Sequence, residues 1–226
     1  NIHGNEPASS EAALALLHQL ANPADTAAAR WLQRLVIIID PCLNPDGRDR
    51  YVNWFANASA AASAFGPQAH AAAFEHAEPW PSGRFNHYLF DLNRDWAWQT
   101  QAESRARAEL YQQWLPQVHA DFHEMGASEP YFFPPPAEPR HEDIAPHQAA
   151  FLERVGQLSA AEFEQRGWLY YTRESYDLLY PSYGDSWPTF QGAAGMTFEK
   201  GGIRAGLAMA LETGDTLTLR QRATQH

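Results

Sequence analysis

Two imidazoles and one carboxylate stand where a metal ion could use them. His3 and Glu6 are separated by two residues, a spacing that lets one tight loop or helix start present both to a single ion. His123 lies 117 positions beyond Glu6 (123 − 6) in Asp121-Phe122-His123-Glu124. A third ligand need not be close in sequence, and it closes the donor set of a catalytic zinc site, which takes three protein ligands and leaves a position open. A separate carboxylate, Glu199, occurs late in the chain in Met196-Thr197-Phe198-Glu199. A fixed cation, Arg94, stands in Asp91-Leu92-Asn93-Arg94-Asp95-Trp96. Two nitrogen ligands, one oxygen ligand, a cation and a free carboxylate are the equipment for hydrolysing an amide.

The elements that must position these groups can be read in turn. Pro7 suits a first helical turn, and Ala8 to Leu20, rich in Ala and Leu, reads as a helix. Leu35 to Asp40 is an apolar, β-branched run expected to be a buried strand. Asn44-Pro45-Asp46-Gly47 after it has turn chemistry. Asn53 to Ala73 is Ala-rich and ambiguous, and Pro79 to Gly83 is a loop. Thr100 to Leu115 has helical spacing. Val118 to Phe122 alternates as a strand that delivers His123 at its end. After an irregular stretch from Pro134 to about Pro146, His147 to Arg166 reads as a helix. Trp168 to Tyr171 and Gly192 to Phe198 read as strands, the second leading into Glu199. Such alternation predicts an α/β domain with a mixed, mostly parallel central sheet and helices on both faces. Its site should lie at strand ends and in the loops that follow them.

The ordered set of stretches resembles the zinc carboxypeptidases of the M14 type, and their bacterial branch most. The likeness rests on His3-Gly4-Asn5-Glu6, Asn44-Pro45-Asp46-Gly47, Asn93-Arg94-Asp95-Trp96, Asp121-Phe122-His123-Glu124 and Glu199, and it runs along nearly the whole chain. It implies one zinc ion per chain on His3, Glu6 and His123. It implies Glu199 as general base, and Asn93 and Arg94 as the groups that bind a substrate's terminal carboxylate. It also implies an arginine facing the oxyanion, for which Arg50 is chosen and Arg84 is the rival. A mobile tyrosine is either Tyr180 or Tyr183. The expected activity is hydrolysis of C-terminal peptide bonds. The alternative is deacylation of an N-acyl amino acid, or amidase action on a cell-wall peptide, by the same site. The substrate is accordingly a peptide or small amide with a free carboxylate. The family choice of C-terminal residue falls in the loop from about Gly184 to Thr189.

Other residues have plainer readings. Glu124 follows His123 and should point to the opposite strand face as a structural partner. Asp121 shares the His123 face and is either its hydrogen-bond partner or a solvated aspartate. His119 is a strand-face histidine, and His18, His141 and His147 are surface residues. At least half of Trp96, Trp98, Tyr131, Phe132, Phe133, Trp187 and Phe190 should serve packing, and the others could wall a pocket. A net charge of −11 argues against nucleic acid and anionic membranes as partners. The single cysteine, Cys42, excludes an internal disulfide and reads as a packed thiol. No apolar run reaches membrane-spanning length. The 226 residues form one catalytic domain, read as the central portion of a longer protein truncated at both ends. The family resemblance points to a periplasmic or secreted location.

Overall fold

The computed structural model describes residues 1–62 and 70–226. Residues 63–69, within the Ala-rich stretch, lie outside the described residues. A four-stranded sheet carries the molecule, in the order β1 (Val118–Gly126), β4 (Ala194–Ile203), β2 (Tyr131–Phe132), β3 (Tyr170–Tyr171). β1 runs parallel to β4 and β2 parallel to β3, while β2 meets β4 antiparallel. β4 is central and largely buried along its length, as its small and apolar residues allow.

Register settles which side chains share a face. His123 stands beside Glu199, and Asp121 beside Thr197. Alternation then places Asp121, His123, Met125, Thr197 and Glu199 on one face, with Phe122, Glu124, Phe198 and Lys200 on the other. α4 (Ala102–Trp114) covers the first face at its edge, where Tyr111 and Trp96 pack on His119. α6 (Ser186–Phe190) lies against β4 next to it. α5 (Pro146–Arg166) covers the second face, burying Leu152 against Ala194 and Met196. α7 (Leu219–Gln225) brings Arg222 to Glu124. Helices therefore flank both faces, as the alternation of elements predicts. A small hairpin, β5 (Ala208–Ala210) with β6 (Thr216–Thr218), precedes α7.

The helices at 7–21, 102–114 and 146–166 and the strands at 118–126 and 194–203 agree with the sequence to within a few residues, although His123 lies inside its strand rather than at its end. Three expectations are corrected. Asn44 to Gly47 is not a free turn but the start of α3 (Pro45–Ala62): the Asn44 side chain accepts from the Gly47 N–H and Pro45 takes the first helical position. Leu35 to Asp40 joins no strand ladder among the described residues, and Val36 and Ile38 remain 76% and 52% exposed. A buried strand needs a neighbour on each edge, and no described strand lies beside this one. Cys42 is exposed, its thiol resting on Asn1. Of the seven aromatics, Trp96, Tyr131, Phe132, Phe133 and Trp187 are buried, and Trp98 is exposed.

Candidate metal centre

His3 and Glu6 sit in a tight loop that closes through Glu6 N–H to the His3 carbonyl, immediately before α1 (Pro7–Ala21). The loop has no room to shift. A side chain at Gly4 would run into the Arg48 backbone at 2.1 Å. Gly4 N–H donates to the Gly83 carbonyl. The buried Asn44 side chain donates to the carbonyls of Ile2 and Arg84. Asn44 thus joins the ligand loop, the start of α3 and the 83–84 segment.

β1 brings His123 to this loop. One Glu6 carboxylate oxygen lies 2.8 Å from His3 Nδ1 and the other 3.0 Å from His123 Nδ1. The three residues are buried, and their ligand atoms lie within 4.8 Å of one another. Each ring turns its far nitrogen to an aspartate: His3 Nε2 to Asp91 at 3.1 Å, His123 Nε2 to Asp121 at 2.8 Å. A carboxylate on one imidazole nitrogen fixes the tautomer whose other nitrogen has a free lone pair. Two such rings and one carboxylate suit zinc in donor type and number. Burial pushes the Glu6 carboxyl up, but the two rings outweigh it and hold it well below the usual range. Burial likewise raises Asp91 and Asp121, and their histidine partners reverse the effect. All three carboxylates are therefore charged at neutral pH.

Glu199 stands beside His123 in register, across one strand spacing of about 4.8 Å. It is buried, and burial raises its carboxyl, with Glu6 and Asp121 adding to the rise and His123 opposing it. Glu124 is not its rival at this face. Its side chain accepts from Ala8 N–H at the start of α1 and from Arg222, both partners buried.

Arg50 and Arg84 separate clearly. The Arg50 guanidinium donates to the backbone carbonyls of Ser82, Phe85 and Asn86, so its hydrogens hold a loop. The choice of Arg50 as the arginine facing the cluster is not supported by this placement. Arg84 binds Asp91 through Nε and Nη2 and brings Nη1 to 3.3 Å from His3 Nδ1 and 3.9 Å from Glu6.

Asn93 lies against His123, with Nδ2 3.2 Å from Nε2, and its oxygen accepts from Trp96 Nε1 and Gly184 N–H. Arg94 is exposed and stacks over the Tyr183 ring at 4.5 Å. Tyr180 instead accepts from Trp98 Nε1. The loop bearing both tyrosines is tied to the Arg94 segment through Ser182, which donates to the Arg94 carbonyl. A side chain at Gly184 would overlap the Asp121 carboxylate at 1.9 Å, so the loop can approach only as glycine. Asp91 was not singled out from sequence for any role, and its place three residues before Arg94 offers no signal for its contact with His3.

No helix is long and apolar enough to cross a membrane among the described residues. Comparison with curated proteins gives no match. The family model for zinc carboxypeptidases, peptidase M14, matches residues 1–184. That span holds His3, Glu6, Arg84, Arg94 and His123 and ends before Glu199, whose place is given by strand register alone. With so much of the chain matched, and the His–Glu–His cluster within the match, the chain belongs to the zinc carboxypeptidase family.

Proposed function

We propose that this protein is a zinc-dependent metallocarboxypeptidase that removes C-terminal residues from peptides. The observation that carries the reading is the placing of Glu199 beside His123, next to the buried His3–Glu6–His123 donor set, with Arg94 on the rim. His3, Glu6 and His123 would hold the ion. Bound there, zinc supplies a Lewis acid for the scissile carbonyl and acidifies water. Glu199 takes the proton of the attacking water and passes it to the leaving amine. Its buried setting favours a carboxyl that can hold a proton between these steps. Arg84 Nη1 is fixed by the Asp91 contacts and faces the cluster, where it stabilises charge building on the carbonyl oxygen. Arg94 grips the terminal carboxylate through its forked guanidinium. Asn93 holds the His123 ring and the 184 loop. Tyr183, under the Arg94 guanidinium, is better placed than Tyr180 to close over substrate.

An N-acyl amino acid or a cell-wall peptide offers the same free carboxylate, so deacylase or amidase action is the second reading. A panel of unblocked peptides, incubated with and without chelator and followed by mass spectrometry, separates them. Stepwise loss of C-terminal residues that stops with chelator is the expected result. A zinc-loaded protein that leaves every peptide intact would overturn the carboxypeptidase reading. Glu199→Gln should abolish turnover with zinc content unchanged. The family resemblance also supports a periplasmic or secreted location, which cell fractionation of the source would test.

A further inference from the structure

Three nitrogen donors on the second face of the sheet have nothing to donate to. Lys200 follows Glu199 on β4 and so points away from the His3–Glu6–His123 cluster. It is only 7% exposed, and among the described residues its ammonium has no hydrogen-bond or ion-pair partner. Arg222 on α7 is fully buried. Its Nη1 and Nη2 are taken by Glu124 and by the carbonyls of Gly202 and Gly206, but its Nε is buried without an acceptor. His226 follows one turn later. Its Nδ1 lies 3.1 Å from the Tyr131 hydroxyl, and its Nε2 is buried with no partner. Burial raises the Tyr131 phenol, so its hydroxyl keeps the proton and donates to Nδ1. Burial, and after it the Lys200 charge, lower the His226 imidazole to about 3. The ring is therefore neutral, and Nε2 carries its one hydrogen.

α7 brings these groups together across the face. Arg222 reaches Gly202, two residues past Lys200 on β4. The His226 ring packs edge-on against Phe122, which stands beside Phe198, two residues before Lys200. Each step of two residues is about 6.6 Å along the strand. Lys200 is thus bracketed by Arg222 on one side and His226 on the other. The charges do not balance. Lys200 and Arg222 share one carboxylate, Glu124, which stands beside Lys200 in register. One Glu124 oxygen is engaged by Ala8 N–H and the other by Arg222. Burial, and after it the Arg222 charge, lower the Lys200 ammonium, as a missing counter-ion would. A buried donor without an acceptor is costly, and a buried charge without a partner more so.

We propose that Lys200, Arg222 Nε and His226 Nε2 bind a small inorganic oxyanion, of the phosphate type, on the face of the sheet opposite the His3–Glu6–His123 cluster. An oxyanion carries several acceptor atoms and so meets donors arriving from three sides, while its charge offsets the cation that Glu124 leaves unmatched. Lys200 and the half-buried His226 are less enclosed than Arg222, and the anion enters between them.

Inorganic phosphate is the probe. The zinc-loaded protein is melted in rising sodium phosphate, with ionic strength held by sodium gluconate, whose bulk the buried cluster does not admit. The melting temperature should rise and saturate, by about 5–11 °C at a hundredfold excess over Kd. That saturating rise should persist in Arg94→Ala, which lacks the cation beside Tyr183, and be lost in Lys200→Met. Without phosphate, Lys200→Met should melt no lower than wild type, because it removes a buried charge that has no partner. Should methionine prevent folding, Lys200→Gln takes its place. A rise of equal size in wild type and the Lys200 variant is the general salting effect of phosphate and would overturn the site. So would a rise abolished by Arg94→Ala, or no saturating rise in wild type.

Discussion

Arg222→Met should destabilise the whole domain through Glu124, the residue next to His123. Arg222 and Glu124 are both fully buried. The Arg222 guanidinium also donates to the carbonyls of Gly202 and Gly206. Glu124 in turn accepts from Ala8 N–H, and its backbone N–H donates to Glu6. Removing the arginine leaves a fully buried carboxylate with one peptide N–H. Breaking a buried pair from one side costs about 3–5 kcal/mol. At about 2–4 °C per kcal/mol for a domain of this size, the melting temperature should fall by roughly 6–20 °C. Glu124→Gln/Arg222→Met removes the stranded charge but keeps an acceptor for Ala8, and should recover at least about 2 kcal/mol of the loss. Thermal and urea unfolding of the zinc-free proteins give both numbers. The sign with pH is a further check. Without Arg222 the Glu124 carboxyl is raised further above its unfolded value, so the single variant is hurt least in acid and most once pH exceeds that raised value. A loss below about 1 kcal/mol, or a double variant no better than the single, would refute the reasoning.

Other outcomes follow from the same geometry. Asp121→Asn should weaken zinc affinity about 10–100-fold by releasing the His123 tautomer; competition with a chromogenic chelator measures it, and an unchanged affinity would detach Asp121 from the metal. Arg84→Ala should lower kcat by about 10²–10³ with little change in stability, whereas Arg50→Ala should cost stability first, because three backbone carbonyls lose their donor. Steady-state kinetics alongside thermal melts would expose a reversed assignment. Burial pushes the Asp185 carboxyl up to about 6 from 3.8. Its folded form binds the proton more tightly than the unfolded chain does, so the stability it contributes in acid is lost as pH rises from about 4 to 6. About 3 kcal/mol is at stake. Asp185→Asn should flatten that slope in urea titrations at pH 4 and pH 8, and an unaltered slope would remove Asp185 as its source.

Much of the His3–Glu6–His123 cluster, with Glu199 beside it, was legible in sequence because these residues stand in local patterns. His3 and Glu6 share one turn, and period-2 alternation puts His123 and Glu124 on opposite faces without reference to any partner. The assignments that failed depend on long-range pairing. Leu35 to Asp40 has the composition of a buried strand, but composition does not supply a neighbour. Arg50 and Arg84 both follow the Asn44–Gly47 stretch. Which of them faces the cluster is decided by Asp91 and by three loop carbonyls, none of which leaves a local mark. Asp121 could be weighed but not settled, since a solvated aspartate and one bonded to His123 look alike until Asn93 and Gly184 close over it. Tyr171 on β3 and Tyr176 in the loop after it reach Met125 on β1 across the sheet, a contact with no local mark.

The outer edge of β1 and the largely exposed apolar run from Leu35 to Ile39 have a consequence for handling the protein. β1 ends its sheet, so one row of its peptide groups faces no strand. Val36 and Ile38 add exposed β-branched side chains. Unpaired edges and apolar strands recruit each other from different molecules. The 226-residue chain made alone should therefore self-associate as its concentration rises, faster at high salt, where its net charge of −11 repels least. Light scattering across a dilution series would show this. A lysine at position 36 or 38 is the substitution to restore solubility, because it places a charge on the run without touching His3, Glu6 or His123.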